Sequence, residues 1–295
     1  MSTEEFPLPV ARTVSALRQQ VAQWRKADKK IALVPTMGAL HAGHISLVDI
    51  GHQHADHVVA SIFVNPTQFG PNEDFDKYPR QKQADAALLA DAGCGLLFAP
   101  DVAEMYPDGF ATSVSVSGIT DGLCGAHRPG HFDGMATVVA KLLLQCLPDM
   151  AIFGEKDYQQ LMTIRRLTAD LNIPVEIIGA PTMRDADGLA TSSRNKYLSV
   201  GQRQVALALP TIMQKIIAHL PGNPNDVAQC LERGKSDLIA AGFDSVDYLE
   251  LRDAENLQAM NSLAAPARLL AAAYLGDTRL IDNMPVTPAG GGEKS

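Results

Sequence analysis

The chain has no long apolar run, no extended basic stretch, no paired-cysteine motif and no internal repeat, and each absence removes a class of protein. Without a stretch of about 18 consecutive apolar residues, a membrane-spanning helix is not expected. The opening Met1-Ser2-Thr3-Glu4-Glu5-Phe6 is acidic rather than basic, which argues against a secretory leader and makes the cytoplasm the expected location. Basic side chains number 25 against 33 acidic ones, a net charge of −8, which disfavours a general nucleic-acid surface, so any anion must be held locally. The four cysteines, Cys94, Cys124, Cys146 and Cys230, stand far apart, so neither a disulfide framework nor a structural zinc site is indicated. Free thiols, buried or partly so, are expected.

What remains is an ordinary globular composition, 46% hydrophobic and 20% charged. At 295 residues the chain exceeds the size at which single cores usually divide, so two domains are expected. Val14, Leu17, Val21 and Trp24 recur at helical spacing. The apolar runs Ile31–Val34, Val58–Val64, Leu96–Phe98, Ala151–Phe153 and Val175–Ile178 then read as strands separated mostly by helices. This pattern predicts an α/β domain with a Rossmann-like open parallel sheet over residues 1–180. Met135, Val138, Val139, Leu142, Leu143, Cys146 and Leu147 form one helical stripe ending at Pro148 and read as core. Helices around 205–220 and 227–238 and strands at 246–251 and 269–275 predict a smaller C-terminal α+β domain over 181–284, closing over the site. The Gly-rich end, 285–295, reads as a mobile tail.

Four polar clusters carry candidate chemistry. Pro35-Thr36-Met37-Gly38-Ala39-Leu40-His41-Ala42-Gly43-His44 joins a strand to a helix, delivering backbone N–H groups to the positive end of that helix, where an anion is favoured. Gly38 and Gly43 permit close approach, and His41 and His44 can donate ring N–H bonds. By themselves the two histidines fit a helix-capping pair equally well. Five histidines, His41, His44, His52, His54 and His57, fall close together, but no single helical face gathers them as metal ligands; His52, His54 and His57 read as an exposed helix end. Phe153-Gly154-Glu155-Lys156-Asp157-Tyr158-Gln159-Gln160 again ends a strand before a helix. There Lys156 can neutralise triphosphate charge, Asp157 can hold magnesium, and Gln160 lies one turn beyond Lys156. The plain alternative makes Asp157 an N-cap and Lys156 a solvated charge. Thr191-Ser192-Ser193-Arg194-Asn195 offers hydroxyls, a guanidinium and an amide, and in Asn65-Pro66-Thr67-Gln68-Phe69 the glutamine can bond a small polar substrate. Three of the four clusters follow strands, on the edge where open α/β sheets bind ligands.

In order and spacing, Pro-Thr-Met-Gly-x-Leu-His-x-Gly-His, Asn-Pro-x-Gln-Phe, Phe-Gly-Glu-Lys-Asp-Tyr-Gln-Gln and Ser-Ser-Arg-Asn resemble the pantothenate synthetases, within the nucleotidylyl transferases that carry a His-x-Gly-His signature. Asp76-Lys77-Tyr78-Pro79-Arg80 and Arg128-Pro129-Gly130-His131-Phe132-Asp133-Gly134 extend the resemblance over most of the chain. It implies ATP-dependent condensation of (R)-pantoate with β-alanine through a pantoyl adenylate, with ATP as co-substrate, magnesium as cofactor and a homodimer as assembly. It also implies an ATP site formed by Met37, Gly38, Ala39, Leu40, His41, Ala42, Gly43, His44, Gly154, Glu155, Lys156, Asp157, Met183, Thr191, Ser192, Ser193 and Arg194. Pantoate would be held by Gln68 and Gln160, β-alanine by Gln68, magnesium by Asp157, and catalysis would fall to His44, His41, Lys156 and Arg194. His44 is labelled the proton donor by that resemblance, although a phosphate-stabilising imidazole describes the role better. Where other relatives carry a Lys-Met-Ser-Lys-Ser loop, Thr191–Arg194 stands here, and Arg194 takes the lysine's work. Three rivals remain open: another adenylyl transferase, a non-catalytic nucleotide sensor, and a tRNA-charging fragment, the last disfavoured by the acidic balance.

Overall fold

The computed structural model describes residues 6–71, 73 and 75–289. The opening read as a non-leader lies almost entirely outside the described residues, as does the end of the chain from 290. The elements run β1 (Val10–Ala11), α1 (Val14–Lys26), β2 (Ile31–Thr36), α2 (Ala42–His54), β3 (His57–Ile62), α3 (Lys82–Asp91), β4 (Leu96–Phe98), α4 (Val102–Met105), α5 (Cys124–His127), α6 (His131–Cys146), β5 (Met150–Gly154), α7 (Tyr158–Asp170), β6 (Glu176–Ala180), α8 (Val200–Ala206), α9 (Ala208–His219), α10 (Val227–Ala241), β7 (Ser245–Asp253), β8 (Ala267–Leu275) and β9 (Thr278–Val286).

The first six strands form one parallel sheet in the order β1-β4-β3-β2-β5-β6. Ile31–Val34 and Val58–Ile62 are buried because helices cover both faces, which is why they read as continuous apolar runs rather than alternating ones. From β2 the chain proceeds outward one way through β3 and β4 and the other way through β5 and β6. The topological switch therefore lies between β2 and β5, and the crevice beyond their carboxyl ends is where such sheets take ligands.

The last three strands form an antiparallel sheet in the order β7-β8-β9. β8 is buried on both faces: Leu269, Ala271, Ala273 and Leu275 pack on α9 and α10, while Leu270 and Ala272 join the core of the parallel-sheet unit. Three readings change here. The helix expected over 205–220 is two, separated at Leu207. β9 is absent from the sequence pattern, and it carries Pro285 and Val286 within the sheet, so the tail cannot begin at 285; Val286 pairs with Ala267 and is buried. Cys94, Cys124 and Cys146 are buried free thiols and Cys230 is partly buried. Among the described residues no helix is long and apolar enough to cross a membrane.

Candidate active site

The loop after β2 is built by unusual backbone. Gly38 and Ala39 both have positive φ, +84° and +53°, a conformation that costs an alanine about 1–2 kcal/mol. Neighbours hold it. Asp85, buried at the start of α3, accepts from Ala39 N–H at 2.9 Å and Leu40 N–H at 2.8 Å, and Ser193 Oγ donates to the Ala39 carbonyl at 3.2 Å. Ala39 and Leu40 are themselves buried with their N–H groups taken by Asp85, so they shape the loop rather than line the pocket.

His41 caps α2, its Nδ1 accepting from Gly43 N–H at 3.2 Å, which assigns its proton to Nε2. Capping and ligand binding are therefore compatible, because Nε2–H remains to donate. A Cβ at Gly43 would meet the His41 ring at 3.0 Å. The His44 ring lies 4.1 Å from that of His41, and its buried Nδ1 has no partner among the described residues. Burial, then neighbouring His41 and Lys156, lowers the His44 pKa to about 3. Burial, then Lys156 and Lys196, lowers that of His41 to about 4. Both rings are neutral near pH 7, so each has one N–H to donate but carries no extra proton to give away.

The second loop, Gly154–Asp157, leads from β5 into α7 on the other side of the switch point. Asp157 makes no capping bond to α7, so the capping alternative for its carboxyl does not hold. Enclosure opposes its ionisation, but Lys156, then Arg194, His131 and Arg128, hold its pKa below the usual carboxylate value. Lys156 Nζ stands 3.9 Å from that carboxyl, whose side chain is about half exposed on the cleft. The Glu155 carboxylate turns away to Arg268 at 2.6 Å. Gln159 and Gln160 part company. Gln159 is buried and structural, accepting from Cys124 N–H and donating to the carbonyls of Ile119 and Gly122, whereas Gln160 lines the cleft.

The three hydroxyls of Thr191–Ser193 are engaged within the protein: Thr191 with Asp185 at 2.7 Å, Ser192 with Arg194 N–H at 3.3 Å and Ser193 with Ala39. Arg194 lines the cleft. Met183, 39% exposed, accepts from Thr191 N–H at 3.0 Å and borders the same cavity.

Gln68, almost buried, is oriented by Asn65, whose Nδ2 donates to Gln68 Oε1 at 3.1 Å and to the Gly134 carbonyl at 3.0 Å. Tyr106 OH donates to Asn65 Oδ1 at 2.7 Å, and Gln68 Nε2 points at Met37 Sδ, 2.9 Å away. His131 Nδ1–H donates to the Gln68 carbonyl at 2.8 Å, and its Nε2 accepts from Arg128, which is paired with Glu73. Burial, then Arg128, lowers the His131 pKa to about 4. Asn65 and His131 stood in segments singled out from the sequence but without a role; Asp85 gave no signal at all.

Met37, His41, Gly43, His44, Gln68, Gly154, Met183 and Thr191 border a pocket of about 230 Å³ that shares Arg128, His131, Lys156, Asp157, Gln160, Ser192 and Arg194 with a wider cleft of about 990 Å³ beside the antiparallel sheet. The apolar wall of the pocket includes Phe63, Met135, Val138, Val139 and Leu142. The α6 stripe read purely as core thus also shapes the site, its buried side chains forming the floor of the pocket. No three His, Cys, Asp or Glu side chains gather as a metal-binding group among the described residues; His57 stacks on Trp24 at 4.3 Å, and His52 and His54 lie at the exposed end of α2.

The family model of the pantoate-beta-alanine ligases matches residues 9–285. The pantothenate synthetase of Paramagnetospirillum magneticum is 62% identical over 279 residues, covering 95% of this chain and 98% of that one. That of Rhodospirillum rubrum is 56% identical over 280 residues, covering 95% and 99%. Among solved structures, pantothenate synthetase from Thermus thermophilus superposes with a TM-score of 0.89 at 46% identity, covering 95% of this chain and 100% of that one. The pantoate-beta-alanine ligase of Francisella tularensis, complexed with beta-gamma ATP and beta-alanine, gives 0.79 at 38%, covering 94% and 97%. With its two strand-end loops, its paired histidines and its sequence alike over nearly full length, the chain belongs to the pantoate–β-alanine ligase family.

Proposed function

We propose that the chain's reaction, the ATP-dependent condensation of (R)-pantoate with β-alanine to pantothenate, AMP and diphosphate, runs through a pantoyl adenylate held between the Met37–His44 and Gly154–Asp157 loops. A pantoate carboxylate oxygen attacks the α-phosphorus, and the bond to the β-phosphate breaks to release diphosphate. The β-alanine amine then attacks the acyl carbon, loses a proton, and AMP departs with the bridging oxygen. Alignment and charge stabilisation are the protein's main tasks in such a transfer.

The observation that carries this reading is the neutral histidine pair facing the same pocket as Lys156, one of its ring nitrogens buried without a partner among the described residues. His41 and His44 donate hydrogen bonds to oxygens of the reacting phosphate, and Lys156 and Arg194 offset the charge of the departing diphosphate. Met37–His44, Gly154–Asp157, Met183 and Thr191–Arg194 bound the nucleotide, with the last segment contributing through its backbone, the Ser192 O–H and Arg194, since the Thr191 and Ser193 hydroxyls donate within the protein. Pantoate sits in the smaller pocket, its branched carbon skeleton against Val138, Val139 and Phe63 and its polar groups on Gln68 and Gln160; Gln68 also meets β-alanine.

Asp157 fits magnesium: the ion takes hard oxygen ligands, commonly one or two carboxylates plus substrate phosphates, and this carboxylate stays ionised and open to the cleft. Held by Asp157, magnesium would supply positive charge against that of the substrate phosphates. We place the domain boundary near residue 180, with the C-terminal unit closing the site. The unpaired thiols fit a reducing cytoplasm. A homodimer is the proposed assembly, and Leu144 and Leu147, exposed at the end of α6, offer an apolar face; light scattering dominated by monomer at working concentration would overturn it.

The test is diphosphate release with ATP, magnesium and pantoate, with AMP and pantothenate followed by mass spectrometry. An enzyme-bound adenylate that becomes pantothenate only on adding β-alanine is expected; release independent of pantoate would refute the reading. His44→Ala and Lys156→Ala should each stay folded and lower adenylate formation by at least ~100-fold. Near-normal release from either variant would remove the role assigned to that residue.

A further inference from the structure

β9 reaches the Gly154–Asp157 loop and the segment that carries Met183. Its residues Asp282 and Asn283 point to opposite faces of the antiparallel sheet. Asn283 Nδ2 donates to the carbonyl oxygens of Glu155 at 2.9 Å and Lys156 at 2.7 Å, while its Oδ1 accepts from Arg268 Nε at 2.7 Å. Turning the amide over would set its oxygen against two carbonyls and its NH2 against a guanidinium, so only one orientation is stable. Arg268, buried on β8, also bonds Glu155 and lies 4.0 Å over the Tyr158 ring. On the other face Asp282, buried as well, takes the Arg184 guanidinium in two bonds of 2.7 and 2.9 Å, and Arg184 follows Met183 directly.

We propose that the Asp282-Asn283 pair, with Arg268, is a positioning device that sets the Lys156 loop and the Met183 segment in register for ATP. The proposal rests on the reading that Lys156 meets the phosphates. In a trans peptide the C=O and N–H point oppositely, so anchoring the Glu155 and Lys156 carbonyls on Asn283 aims the N–H groups of Lys156 and Asp157 away from β9 and fixes where the Lys156 side chain leaves the backbone. Without Asn283 two carbonyls lose their donor and the turn is free to rotate. Small misplacements of groups that align reactants lower rates steeply. The antiparallel sheet is thereby a fixed part of the nucleotide site and not only a cover for it.

The test measures diphosphate release by the full-length enzyme carrying Asn283→Leu, Lys156→Ala or both, with KM determined for ATP and for pantoate. Asn283→Leu should lower kcat by ~10-fold or more and raise the ATP KM, leave the pantoate KM within ~3-fold, and add less than ~3-fold to the defect of Lys156→Ala. If the two substitutions multiply, or if both substrates' KM values rise together, Asn283 serves only to join the two sheets and the proposal fails. If Lys156→Ala alone releases diphosphate normally, it is the assignment of Lys156 that fails. Should Asn283→Leu not fold, Asn283→Ser, with one donor for two carbonyls, takes its place under the same criteria, and a fully active serine variant overturns the proposal.

Discussion

Asp85 offers the sharpest check on how the histidine loop is held. Its carboxylate is 2% exposed and accepts from two consecutive backbone N–H groups at 2.8 and 2.9 Å, one of them belonging to left-handed Ala39. Replacing Asp85 by Asn preserves shape but presents one oxygen and one NH2 to two donors, so one hydrogen bond is lost and one N–H faces another. Hydrogen bonds to a charged group contribute about 1.5–3 kcal/mol each, which puts the expected destabilisation of Asp85→Asn at about 2–3 kcal/mol. The loop then has less to oppose the preference of Ala39 for negative φ, so adenylate formation should fall by ~10-fold or more while the remaining protein stays folded. Urea unfolding followed by circular dichroism reads the first quantity and diphosphate release at saturating pantoate the second. A variant with unchanged unfolding free energy and normal release would refute the idea that this buried carboxylate holds the loop.

Gly134→Ala should break the usual rule that alanine stabilises a helix interior, because a Cβ there would come within 2.2 Å of the Thr67 carbonyl; a loss above ~1 kcal/mol and a raised pantoate KM are expected, and a stabilised variant would contradict the packing of α6 on the Gln68 turn. Acid should destabilise the protein through His41, His44 and His131, whose native pKa values of about 4, 3 and 4 lie below the unfolded 6.5. Below pH 6.5 the unfolded chain binds more protons, so stability declines as pH falls towards 4, by up to about 1.4 kcal/mol per pH unit for each histidine. In pH-dependent unfolding, His44→Gln should show a shallower slope between pH 6 and 4 than the parent; equal slopes would place the His44 ring in water.

Legibility in the sequence followed the range of the interactions. β2, β3 and β5 announced themselves because burial on both faces makes an apolar run, and the strand-to-helix loops carrying His41, His44 and Lys156 were visible because glycines and polar residues interrupt those runs locally. β9 stayed hidden because Asp282 and Asn283 break its alternation and Pro285 argues against a strand, yet these polar residues are buried and paired with Arg184, Arg268 and the Lys156 loop, contacts that mostly span about a hundred residues of sequence or more. β1 is two residues long and exists by pairing with β4. Asp85 reads as an ordinary first-turn acid of α3, and nothing near it in sequence says that its partners lie at Ala39 and Leu40.

One departure from local rules stands beside the candidate site. Of the six described non-glycine residues with positive φ, Asp28, Leu147 and Asn172 lie just past helix ends, where a left-handed residue closes the last turn. Ala39 has no such excuse: its conformation is imposed by Asp85 on its N–H and by Ser193 on its carbonyl, two residues from different parts of the chain. Ser193 belongs to the segment that also presents Arg194, so the same contact that shapes the histidine loop ties it to that cation. Asn283 performs the equivalent task for the Lys156 loop from the antiparallel sheet. Each of the two strand-end loops is thus held from outside its own strand-to-helix unit, which explains why a fold shared by many enzymes carries a particular geometry here: the strand ends supply the location, and long-range polar contacts supply the shape.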